Sequence, residues 1–306
     1  MNGIIDLSRL TPPDAVEVID FEQLLAEVKA ELVACFPGDE QEAVSQALAL
    51  ESSMLSITCQ LMTYREIVLR QRINEGVRAT FLAMAKGADL DVKAADYGVT
   101  RHVVNPGDPA AIPPREPEYE SDEALRERAW LSMQAMSVAG PYGAYRYHAR
   151  SASPEVLDAQ PYGPEDHSLP GEVHVYVLSC TGDGAADDAL IETVRAALTD
   201  TETRPLTDFV TVRSAQIVPY TVAAVLHIQP GPDARSVKEA AMLAMQKYVD
   251  SVHRIGHTVA ESGLFRALHQ SGVERVEMST PLGNLDGRLG VAYYCTDITI
   301  ETSTRE

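Results

Sequence analysis

The sequence predicts an α+β protein, with a long N-terminal helical bundle or coiled-coil region followed by two small α+β domains of β-α-β type. Three observations lead there. Apolar residues recur at seven-residue intervals between positions 47 and 68. Near residue 155 the apolar period changes from helical to two. From there to the end, alternating strand-like stretches are separated by amphipathic helical ones. The 306 residues suffice for about two domains, and the 45% hydrophobic content suffices for real cores.

The first helix is expected over Phe21 to Phe36, where Leu24, Leu25, Val28, Leu32 and Val33 fall at helical spacing. Pro37-Gly38-Asp39 interrupts it. A second helix is expected from about Asp39 to Lys86, which contains no proline. At 1.5 Å per residue it would reach about 70 Å. Ala47, Met54, Leu61 and Val68 are one heptad row and Leu50, Ile57 and Tyr64 the other. Leu48, Leu55, Met62 and Leu69 add a third apolar row, so the helix should touch more than one neighbour. The first helix is too short to cover it. Packing against later helices of the same chain is one reading; an intermolecular bundle seamed by those seven residues is the other.

Gly87-Ala88-Asp89 closes that helix, and a short helix around Leu90, Ala94 and Tyr97 ends at Gly98. Pro106, Pro109, Pro113, Pro114 and Pro117, followed by Glu118, Glu120 and Asp122, read as an extended acidic arm. Ser121 is a good N-cap for a helix to about Met136, and a second short helix runs from Ala144 to Ser151. Val173, Val175 and Val177 alternate with His174, Tyr176 and Leu178 as a strand. A helix at Asp187 to Leu198 and a strand at Phe209 to Val218 follow. The second unit has a strand at Tyr220 to Ile228, helices at Asp233 to Val252 and Glu261 to His269, and strands at Val273 to Met278 and Tyr293 to Thr302. The expected boundaries are 1–86 for the helical bundle region, 87–120 for the connector and arm, 121–154 for a helical linker, and 155–218 and 219–306 for the α+β domains.

The net charge of −20 and pI near 4.7 argue against binding nucleic acid. No apolar run approaches the roughly 18 residues of a membrane span, and the N-terminus lacks the pattern of a secretory signal. Cys35, Cys59, Cys180 and Cys295 are far apart and form no CxxC, so they are expected to be reduced. No P-loop, HExxH or GxSxG is present. Gly182-Asp183-Gly184 reads as a turn, and Asp183 with Asp187-Asp188 lacks the periodic ligands of a calcium loop. His253 and His257 have helical metal-ligand spacing, but no third ligand is evident and Gly256 suggests a helix end. No catalytic residue, metal ligand or cofactor site is assigned.

Ordered segments resemble the baseplate J family of contractile-tailed phages and tail-like particles. Ser121-Asp122-Glu123 through Arg128 leads into Ala139-Gly140-Pro141-Tyr142-Gly143-Ala144-Tyr145 and Ser153-Pro154-Glu155-Val156. Gly171-Glu172-Val173 through Ser179 follows, then Arg204-Pro205-Leu206-Thr207-Asp208 and Ile217-Val218-Pro219-Tyr220. Pro230-Gly231-Pro232-Asp233, Leu268-His269 and Gly272-Val273 complete the set; Tyr142 and Arg146 depart from the pattern. The resemblance implies a structural wedge protein without enzymatic activity, made in the bacterial cytoplasm and placed in the tail baseplate. It implies a second copy of the chain and a smaller tail protein I-like partner, joined through the N-terminal bundle. Neighbouring wedges, a lysozyme-like inner baseplate protein, sheath and tail fibres would surround them. A tail-associated cell-wall hydrolase and an unrelated homo-oligomeric cytosolic scaffold are the alternatives.

Overall fold

The computed structural model describes residues 7, 10–137, 140–200, 205, 207–229, 231 and 233–304. Of the motifs above, Ala139, Arg204, Leu206, Pro230 and Pro232 lie outside the described residues, as does most of the first nine-residue stretch. The chain forms two compact units, Met1–Thr100 and Arg101–Glu306.

The first unit is helical. α1 (Phe21–Ala34) starts at Asp20, whose carboxylate accepts from the Gln23 N–H at 2.8 Å. α2 (Gln41–Ala49) follows, then α3 (Met54–Ala79) and α4 (Gly87–Ala95). The single helix expected over residues 39–86 is thus two helices, and the longer has 26 residues, or about 39 Å rather than 70. The break has a local cause. Leu50 is extended, with φ −87 and ψ 113, and the Ser53 hydroxyl caps α3 by accepting from the Ser56 N–H at 3.1 Å. Serine competes for backbone groups and favours such a start. α3 also ends at Ala79, before Gly87, which opens α4 instead of closing the long helix. The turn between them buries Leu82 and Ala85.

The second unit begins with the arm. β1 (Val103–Asn105) pairs antiparallel with β2 (Glu118–Tyr119), and an Asp108–Arg115 bridge continues the pairing. The expected extended arm is therefore a loop folded back on itself. Its base is held by Arg101, which donates to the Glu120 carbonyl at 2.7 Å and to Asp122 at 2.8 Å. α5 (Asp122–Ala135) is capped by Ser121, as the sequence indicates, and α6 (Tyr142–Ala152) follows.

β3 (Val156–Tyr162), α7 (Pro164–His167), β4 (Glu172–Ser179), α8 (Asp188–Thr199) and β5 (Phe209–Ser214) form a sheet of order β3-β4-β5. β3 is antiparallel and β5 parallel to β4. Its core joins Tyr145 and Ala149 of α6 to Val175, Val177, Val194, Leu198 and Val212. The second sheet has β6 (Gln216–Ile228), α9 (Ala234–Val252), α10 (Glu261–Leu268), β7 (Val273–Thr280) and β8 (Val291–Thr304), in order β7-β6-β8. Leu226, Ile228, Met245, Leu264, Leu268 and Ile300 are buried there.

The strands expected at 209–218 and 220–228 divide at Ala215 instead. Ala215 N–H donates to Val177 of the first sheet, and the next residue, Gln216, donates to Gly290 beside the second, both at 2.8 Å. The chain thus changes sheets without turning. Pro219 lies inside β6 because that stretch has a single neighbour, β8; β7 pairs only from Ala223 onward. The residues alternating with the β4 valines are also buried: Leu178, with half-buried Tyr176, packs on Ala215, Ile255 and Ala292. Gly290 has φ +67, and a Cβ there would stand 2.5 Å from the Tyr176 ring, so this approach requires glycine.

One buried carboxylate ties these parts together. Asp158 on β3 accepts from Arg146 at 3.0 Å and from the Ala159 N–H at 2.9 Å. Its other oxygen accepts from the Ile255 N–H at 3.1 Å. Replacing it strands a buried guanidinium and a buried amide. We expect Asp158→Ala to cost the second unit about 3–5 kcal/mol. Denaturant unfolding followed by far-UV circular dichroism will measure this.

Candidate assembly interface

α3 is built inside out for a lone helix packed on its neighbours. Its inward row is Ser56, Cys59, Thr63 and Asn74, all buried, with Glu66 and Arg70 half-buried between them. Cys59 joins Leu25, Val44 and Leu48 in a small core. Asn74 accepts from the Glu17 N–H at 3.0 Å and donates to the Glu17 carbonyl at 2.9 Å. Arg70 bridges Glu66 and Glu17. The Ser56 and Thr63 hydroxyl oxygens are buried with no hydrogen-bond partner among the described residues.

The outward row is apolar. Met54, Ile57, Leu61, Tyr64 and Val68 occupy one face at spacings of three and four, and their exposure runs from 46% at Val68 to 79% at Met54. Met62, Leu69 and Ile73 widen it. Of the other two residues expected in the seam, Ala47 is half-buried on α2. Leu50 is 63% exposed but sits in the break between α2 and α3, off the α3 stripe. The third row divides: Leu48 is buried and Leu55 half-buried, while Met62 and Leu69 face solvent. The outward row thus leaves five large apolar side chains, from Met54 to Val68, without a covering element among the described residues. The heptad period was visible in sequence. That its seam faces away from α1 was not, because the inward row is too polar to register as a core face.

The second unit has a cleft of about 270 Å³ lined by His102, Glu120, Glu127, Arg128, Arg150, Cys180 and Arg254, among others. Glu120 accepts both Nε, at 3.1 Å, and Nη2 of the buried Arg128. Burial, and then the Arg128 charge, push the His102 imidazole below its usual value, while burial pushes the Cys180 thiol up. The cleft therefore holds a neutral imidazole and a protonated thiol, a poor nucleophile. Burial alone would raise the Glu127 carboxyl; Arg150, then Arg146 and Arg254, outweigh it and hold it below the usual range. α9 ends at Val252, so His253 and His257 share no helical face, and His253 Nδ1 lies 2.7 Å from the Tyr293 carbonyl. No group of three or more metal-ligating side chains occurs among the described residues, and no described helix is long and apolar enough to cross a membrane.

Comparison with known proteins gives a consistent picture. Residues 51–108 match the family model of the Baseplate J-like N-terminal domain, and residues 137–214 match that of the Baseplate J-like central domain. Baseplate protein J of Escherichia phage P2 is 42% identical over 299 residues, covering 98% of both chains. A chain of the anti-feeding prophage baseplate, solved by electron cryo-microscopy, aligns at TM-score 0.41 and 16% identity. That alignment covers 61% of this chain and 43% of the other, and no argument rests on it.

Two outcomes are expected. Thr63→Val removes a buried, unpaired hydroxyl and should stabilise the first unit by about 1 kcal/mol, whereas Leu61→Ser should shift monomer stability by less than about 0.5 kcal/mol. Urea titration of dilute protein will distinguish them. The Glu127 carboxyl, held low in the fold, contributes stability above its unfolded value near 4.5. That contribution disappears as pH falls through the lower folded value, so Glu127→Gln should flatten the stability profile below about pH 4.5. Thermal melts across pH 3–6 on both proteins, an interval set around that unfolded value of roughly 4.5, will check it.

Proposed function

This chain belongs to the baseplate J family, and from that premise we propose that the outward face of α3 joins tail subunits through an intermolecular helical bundle. The protein is a structural component of a tail baseplate, not an enzyme, and works within a multiprotein assembly. That membership sets aside the hydrolase and the unrelated scaffold.

The observation carrying the bundle reading is the exposed stripe of Met54, Ile57, Leu61, Tyr64 and Val68 on α3; Ala47 and Leu50, on and just after α2, continue the seven-residue spacing in sequence only. Its seven-residue period suits a left-handed bundle of helices. A second copy of the chain and a smaller tail protein I-like partner are the proposed occupants. The second unit then faces neighbouring wedges, the inner baseplate, sheath and fibres. The net charge of −20 suits basic surfaces on those partners and makes association rates salt-dependent. The domain plan we propose keeps residues 1–86 for the bundle and the rest for contacts around the ring.

Leu61→Asp puts a charge in the seam. Co-expressed with its neighbouring tail proteins, the wild type should give a discrete hetero-complex by light scattering. The variant should remain unassembled with an unchanged circular dichroism spectrum. Normal co-purification of the variant would remove the bundle assignment.

A further inference from the structure

α3 is the cationic exception in an acidic chain. It carries four arginines against two glutamates, while the whole chain has a net charge of −20. Arg70 turns inward, held by Glu66 and Glu17. Arg65 is exposed at mid-helix and forms no side-chain hydrogen bond or ion pair among the described residues. Arg72 reaches Glu75 at 3.4 Å, but both side chains are more than half exposed, where such a pair contributes little.

The heptad fixes where these cations stand. With Leu61 and Val68 at position a and Tyr64 at d, Arg65 and Arg72 both fall at e, on the flank of the exposed row. Met62, Leu69 and Ile73 lie on their far side, so the two cations stand between apolar side chains. Charges at e and g set which helices pair. In a parallel pair of α3 helices e faces g, and Arg65 and Arg72 would meet Gln60 and Ile67. In an antiparallel pair e faces e, where α3 offers Thr58, Arg65 and Arg72 and no acid. Either pairing covers the apolar row beside unanswered cations, which selects against it. The acidic helix α1 of a second copy is no substitute, because Leu24 and Leu25 are buried within its own unit.

We propose that the Met54–Val68 row binds an amphipathic helix of a different protein, whose apolar seam is flanked by aspartate or glutamate opposite Arg65 and Arg72. This rests on the bundle reading above and narrows it. Of the two occupants proposed there, the smaller partner lies along this row, and not the α3 of a second copy. The local charge of α3 reverses that of the whole chain, so this contact selects an acidic surface.

The test presents the full chain with two fluorophore-labelled synthetic heptad helices. Both have an isoleucine and leucine seam. One has glutamate and the other lysine at e and g, with outward positions chosen so that each peptide is neutral. In anisotropy titrations at low salt, the glutamate-flanked helix should bind about tenfold more tightly, through small ion-pair gains and avoided repulsions. The double variant Arg65→Glu with Arg72→Glu, at two exposed positions, should reverse that order. Equal binding of both helices, or an order unchanged in the double variant, overturns the charge selection while the bundle stands. If neither helix binds, the bundle reading falls and the proposal with it. Sedimentation of the chain alone is the second arm. A monomer supports the proposal, and self-association that Leu61→Asp abolishes overturns it.

Discussion

The second unit depends on the buried Asp158 carboxylate. Its two oxygens reach in opposite directions through the fold. One holds Arg146, and through it α6, against β3; the other holds the backbone after α9 at Ile255. Arg146 in turn donates to the Ala159 carbonyl at 3.1 Å and pairs with Glu127 on α5. Two helices, the first sheet and a loop of the second therefore converge on one charge. Such a charge is tolerable out of water because it is paired and accepts three hydrogen bonds. Around it, the chain passes from one sheet to the next at Ala215, and Leu178, Ile255 and Ala292 close a shared core. The two sheets consequently form one compact unit.

The first unit follows the opposite logic. Its internal contacts are modest: a small core around Leu25, Val44, Leu48 and Cys59, and a polar clamp of Asn74 on the Glu17 backbone. Met54, Ile57, Leu61, Tyr64 and Val68 lie exposed on the outside of α3. Burying Ser56 and Thr63 while exposing Leu61 and Tyr64 is a poor arrangement for an isolated protein. It is a sound one for a subunit whose stability is completed by association, because the hydrophobic gain is then released on assembly and not before. This fits a structural protein that assembles with others into a baseplate. In the bundle proposed above, a helix that presents its apolar row in advance would limit the entropy lost on association.

The sequence by itself determined which segments become helix or strand wherever a local signal was strong. Ser121, Asp187 and Asp233 each cap the helix that follows, and the period-two valines at 173, 175 and 177 fall in strand β4. It also determined the heptad row on α3 and the order of motifs shared with the baseplate J family, since both are read along the chain without knowing what lies across it. Ser53 offered a comparable start signal for α3. An unbroken apolar period around it masked the break.

Only the tertiary structure decided what each face meets. Whether Leu61 packs inside or points out depends on where α1 lies. The alternation in β4 cannot tell that Leu178 covers a second core, because both faces of that strand are buried by elements distant in sequence. The division at Ala215 depends on hydrogen-bond partners at Val177 and Gly290, and the charge network at Asp158 joins residues separated by 97 positions. Periodicity reports the direction of a side chain relative to its own backbone. Contact, charge pairing and burial are properties of two chain segments at once, and no single stretch of sequence contains both.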